Sequence, residues 1–133
     1  DCVSSGAVLA KYRIPFIYDF DAWFRTLDAV EAMESPCFVP SHAPAGPDIR
    51  PLVAENRRAV TELLDTILAR LDSPASFEEL LMRLYDGFGL RLDFNQYVLA
   101  GGTLRSALSC LAGAGRVRAA FDGNRLLWRA AGD

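Results

Sequence analysis

The sequence predicts an α+β chain, mostly helical, in two parts that meet near residue 73. Three observations predict it. Apolar residues recur every three or four positions over 20–34 and again from 48 to about 72, the period of an amphipathic helix. The tetrapeptide SPAS, residues 73–76, then interrupts the pattern, because Pro74 cannot continue a helix and Ser76 with Glu79 spells a capping box for a new one. The chain closes on two apolar-rich runs joined by Asp122, Gly123 and Asn124, the turn chemistry of a β-hairpin.

Residues 1–19 mix small and apolar side chains without sustained helical spacing and read as loop with short extended pieces. Asp19 offers an N-cap, and Trp23, Phe24, Leu27, Val30 and Met33 line one face of a helix over 20–34, which Ser35 and Pro36 end. Cys37, Phe38 and Val39 read as a short buried strand closed by Pro40. A long helix follows, with Asp48 as its cap, Pro51 in its first turn, and Leu52, Val60, Leu63, Leu64, Ile67, Leu68 and Leu71 as its apolar stripe.

Past SPAS, residues 76–86 make a helix that buries Phe77, Leu80, Leu81 and Leu84, and GFG at 87–89 ends it. LRLD at 90–93 is extended, and 94–100 is a second short helix. Gly101 and Gly102 read as a turn, after which Thr103 caps a third helix to Ala114 with Gly115 beyond it. The runs RVRAAF and RLLWRA then form the hairpin. Three helices followed by a hairpin describe a winged helix, so the expected division is 1–72 and 73–133.

The chain has 133 residues, 51% of them hydrophobic, enough for a packed core. A net charge of −3 gives no general attraction to phosphate backbones or anionic lipid. Cys2, Cys37 and Cys110 are odd in number and far apart, which argues against structural disulfides and for a reducing cytoplasm. No apolar run approaches the ~20 residues that span a bilayer. The chain opens on Asp1 without an initiator methionine, as expected of a processed product or a piece of a larger protein.

The chain's one histidine, His42, lies in PSHA at 40–43, a loop of small residues after the short strand. An imidazole with room on both sides suits a metal ligand, but a hydrolytic zinc centre takes three or four protein ligands and an open position for water. Asp1, Asp19, Asp21, Cys2 and Cys37 are the nearby candidates in sequence.

The run from DCVSS through LAKYRIPFIYDFDAWFRTLDAV to FVPSHAPAGPDIRPLVAENRRAV, with the segment from SPASFEELL to GNRLLW, resembles the C-terminal part of metallo-β-lactamase-fold hydrolases. It is similar in particular to a bacterial subgroup that carries a small helical domain after the hydrolase domain. The resemblance implies a truncated C-terminal part of an αββα fold over 1–72, followed by a winged-helix-like domain. It implies that PSHA matches the PxHG-type loop, so that His42 is the last histidine ligand of a second metal. Asp1 falls where the family has the aspartate that bridges two metals. The implied cofactor is a pair of zinc ions, with iron or manganese as alternatives. The implied chemistry is attack of a metal-bound hydroxide on an ester, thioester, amide or phosphodiester.

The chain departs from the family pattern in two ways. The HxHxDH motif and a further histidine are absent, and residue 43 is Ala where glycine is usual. The chain by itself is therefore expected to bind zinc weakly and to catalyse nothing, no residue in it being catalytic. His42 would find its partners on the N-terminal part of the same hydrolase. Self-association is expected, because a truncated α/β half exposes apolar surface.

The competing function is DNA binding through the winged helix. Residues 73–133 carry seven Arg against six Asp and Glu, and 103–114 offer Arg105 as the only cation, which is thin for nucleic acid. A packing, dimerising or site-covering role suits such a domain better. Asn56, on the long helix after the histidine loop, reads as a solvated position, and Trp23, Phe24 and Cys110 read as core.

Overall fold

Five helices and one two-stranded sheet make up the described residues of the computed structural model, which describes residues 2–132. The helices are α1 (Gly6–Lys11), α2 (Phe20–Glu31), α3 (Arg50–Ala69), α4 (Phe77–Phe88) and α5 (Phe94–Gly113). Strands β1 (Val117–Asp122) and β2 (Arg125–Ala130) pair antiparallel. The chain is thus α+β and mostly helical, as expected.

Local chemistry accounts for most of the boundaries. Asp19 caps α2 by accepting from the Ala22 amide at 2.9 Å. At α4 the capping box closes both ways: Ser76 Oγ accepts from the Glu79 amide at 3.3 Å, and Glu79 Oε2 accepts from the Ser76 amide at 2.8 Å. Gly89 ends α4 with φ 65°, a conformation that costs other residues about 1–2 kcal/mol. The hairpin turns on Gly123 and Asn124, with Gly123 at φ 59° and no positive φ at Asn124, the type II′ arrangement whose twist matches the strands.

Four expectations are corrected. Residues 6–11, expected as loop, are helical, since GAVLAK is made of good helix formers apart from its first and third residues. The expected buried strand at 37–39 reduces to a single bridge between Phe38 and Gly46, with both backbone bonds made at 2.8 and 3.0 Å. Cys37 and Val39 are exposed there, because Pro36 and Pro40 flank a run too short to build a ladder. The long helix starts at Arg50 with Ile49 in the N-cap position, so Asp48, expected as its cap, lies one residue earlier, although it does accept from the Arg50 amide at 3.0 Å.

The fourth correction concerns 94–114. Two helices and a Gly-Gly turn were expected, and one continuous helix, α5, is found. Neither Gly101 nor Gly102 has a positive φ. Their lack of a side chain serves close approach: a Cβ on Gly101 would lie 3.3 Å from Arg105 and 3.6 Å from the Phe77 ring, and one on Gly102 would lie 3.3 Å from Phe16. Thr103 is no cap. Fully buried in mid-helix, its hydroxyl accepts from the Ile17 amide at 3.1 Å and donates to the Pro15 carbonyl at 2.9 Å, tying the N-terminal segment across α5.

Residues 76–114 therefore supply two helices, not three. SPAS lies between α3 and α4, and its Ala75 bridges Trp128 of β2 through backbone bonds of 3.1 and 2.8 Å. One core runs across that junction, joining Ile17 and Phe20 to Val60, Ile67, Leu80, Leu84, Leu104, Leu108 and Val117. A second, smaller cluster of Val3, Leu27, Ile49 and Val53 sits under the histidine loop.

Candidate functional site

The two chain segments named by the sequence for metal chemistry lie side by side. Ser4 pairs with His42 in a parallel bridge, and the Ser5 amide donates to the His42 carbonyl at 2.9 Å. The loop itself is pinched at its base by the Phe38–Gly46 bonds, which leaves 39–45 as a short excursion with the His42 side exposed. Val3, beside this pairing, is buried against Leu27, Ile49 and Val53, and this packing anchors the N-terminal segment.

Asn56 holds that segment in place, where a solvated position was expected. It is 2% exposed. Its Oδ1 accepts from the Ser4 amide at 2.9 Å, and its Nδ2 donates to the Ser4 carbonyl at 2.7 Å and to the Leu52 carbonyl at 2.8 Å. The amide's three partners fix its orientation, since an N–H needs an acceptor and two carbonyls need donors. A clue was present in the sequence: Asn56 lies three residues after Val53 and four before Val60, in the apolar stripe of α3. A polar side chain at a stripe position has to find partners.

Asp1 lies outside the described residues. Of the other candidate partners, Asp19 and Asp21 are engaged elsewhere, and Cys2 is half-buried against the cluster of Val3, Leu27, Ile49 and Val53. Asp19 caps α2, and Asp21 accepts from the Cys110 thiol at 3.4 Å. Partial burial, reinforced by the Asp21 carboxylate, pushes the Cys110 thiol up to about 11, so it is a poor nucleophile at neutral pH. Cys37 is exposed, its thiol 3.9 Å from the Phe38 carbonyl. Among the described residues no three His, Cys, Asp or Glu side chains converge as metal ligands. The described residues thus supply His42 without a set of converging ligands around it.

Behind the loop is a cavity of about 260 Å³, lined by Phe38, Pro40, Ala43, Ile49, Leu52 and Glu55 among others. Ala43, the departure from glycine, forms part of its wall. Of the aromatic residues nearby in sequence, Trp23 and Phe24 meet edge-on, their ring centroids 5.2 Å apart, and are half-buried against the core, whereas Tyr12, Phe16 and Tyr18 are exposed.

Of the four hairpin arginines, two are neutralised: Arg116 by Asp65 at 3.0 Å and Arg125 by Glu79. Arg118 and Arg129 oppose each other in register and form no ion pair among the described residues. Arg105 lies 3.8 Å above the Phe77 ring. No described helix is long and apolar enough to cross a membrane.

No protein-family model and no curated protein matches this sequence. Its fold is similar to that of a beta-lactamase domain protein from Burkholderia ambifaria, known from a crystal structure, with a TM-score of 0.69 and 21% sequence identity. The likeness covers 87% of this chain and 37% of that one, so this chain spans little more than a third of that protein's length. At such identity the likeness is one of fold, and at that level it agrees with a metallo-β-lactamase-like fold.

Proposed function

We propose that this chain is the C-terminal part of a metal-dependent hydrolase of the metallo-β-lactamase superfamily. In that reading His42 is the last histidine ligand of a dinuclear zinc centre, Asp1 is its bridging carboxylate, and iron or manganese could replace zinc. The remaining ligands belong to an N-terminal part of the same protein, and the substrate is a small ester, thioester, amide or phosphodiester. The observation that carries the reading is the Ser4–His42 pairing, which brings the segment that follows Asp1 against the histidine loop. The fold likeness supports it from outside the chain.

The division expected at residue 73 enters the proposal with one change: α3 serves as the first helix of the winged-helix-like part. The order α3, the Ala75 bridge, α4, α5, β1, β2 is that of a winged helix, with the short extended piece paired to the last strand. This part would pack on the hydrolase, dimerise or cover its site. A second reading, a non-catalytic winged-helix module that binds DNA or protein, draws on the opposed Arg118 and Arg129. Salt-dependent retention on duplex DNA with a steep slope would favour that second reading.

Calorimetric titration with zinc tests the first reading. On this reading the chain by itself is expected to bind zinc weakly, without one-to-one stoichiometry, and to turn over no ester. Tight one-to-one binding abolished by His42→Ala would overturn the requirement for ligands outside this chain.

A further inference from the structure

We propose that Asn56 is a positioning residue, which sets the placement of the histidine loop by gripping the backbone of Ser4. The inference deepens the hydrolase reading and rests on it for its functional meaning. The grip is unusual among the polar contacts of this chain, because one buried side chain satisfies both backbone groups of a single residue 52 positions away while also bonding its own helix at Leu52. Ser4 is the residue bridged to His42, and the next amide, that of Ser5, donates to the His42 carbonyl. The linkage therefore runs from α3 through Asn56 to Ser4 and Ser5, and from them to His42.

Only an amide of this length fits the position. Aspartate would lose both donors and place a charge against two carbonyls. Leucine would fill the volume and leave the Ser4 amide, the Ser4 carbonyl and the Leu52 carbonyl without their partner. Removing the grip frees the N-terminal segment to slide against the loop, since Val3 is its one buried apolar anchor among 2–5. A ligand on a loop displaced by an ångström no longer meets metal geometry, so a residue that touches no metal still decides whether His42 is in place.

The test uses nuclear magnetic resonance on the metal-free chain and compares Asn56→Leu with Leu108→Ala, a control in the other core cluster. In Asn56→Leu the Ser5 amide loses more than about tenfold of its exchange protection and the His42 ring signals shift. Leu108→Ala lowers the melting temperature but leaves both readouts as in the wild type under native conditions. Asn56→Leu that melts lower with Ser5 protection and His42 signals unchanged, or a control that moves them equally, would overturn the proposal. Should Asn56→Leu not fold, the wild type decides: the Asn56 side-chain amide protons and the Ser4 and Ser5 amides open together under rising denaturant. Free exchange of the Asn56 amide beside a protected Ser4 would refute the grip. Because every readout is taken without metal, these outcomes are independent of whether zinc titration upholds the hydrolase reading.

Discussion

Glu79 shows how much a single surface carboxylate can be asked to do. It accepts the Ser76 amide in the capping box and pairs with Arg125 across to the hairpin, and these bonds, the Ser76 one foremost, hold its carboxyl down at about 2 against an ordinary 4.5. A depressed carboxylate contributes stability above its ordinary value and loses it as pH falls through the folded-state value. The melting temperature is therefore expected to fall between about pH 4.5 and 2, and Glu79→Gln to flatten part of that decline in a pH series of thermal melts. Thr103 works in the interior. Thr103→Val keeps the shape but leaves the Ile17 amide without its acceptor, and a loss of about 1–3 kcal/mol is expected from denaturant unfolding. Glu79 was legible in the sequence because its partner Ser76 is three residues away. Asn56 and Thr103 were misread because their partners lie 52 and more than 80 residues away, where local spacing carries no information.

At the scale of elements, α4 and the hairpin were legible for the same local reason, each having its start or turn written into adjacent residues. α5 was not. Gly-Gly-Thr reads as turn and cap by local rules, and only Phe77, Arg105 and Phe16 explain glycines inside a helix. The two glycine environments predict opposite signs. Gly102→Ala meets only the exposed Phe16 ring, which can move, so the gain in helix propensity dominates and stability rises by up to about 1 kcal/mol. Gly89→Ala forces φ 65° on a residue with a Cβ and lowers stability by about 1 kcal/mol. Chemical denaturation of the two variants beside the wild type checks both signs. The buried strand at 37–39 failed for a related reason: apolar character was read correctly for Phe38, but three residues between prolines cannot make a sheet.

At the scale of the whole molecule, the core joins the segment around Ile17 and Phe20 to α3, α4, α5 and β1, whereas the first turns of α5 leave Phe94, Val98 and Leu99 exposed. Self-association of the isolated chain through such surface is expected, and sedimentation should report a mass that grows with concentration. The candidate site was half legible. The histidine loop stood out by its chemistry, and the resemblance supplied a role for it, but the ligands that would complete a metal centre do not converge among the described residues. The central claim is that His42, with Asp1, belongs to a metal site whose remaining ligands lie on a preceding part of the same protein. The most direct test is to read the coding sequence immediately upstream of Asp1. The account predicts an open frame of roughly a domain's length that encodes HxHxDH and a further histidine. A start codon at or just before Asp1 would contradict it and move the search for function to the helices and hairpin of the C-terminal part.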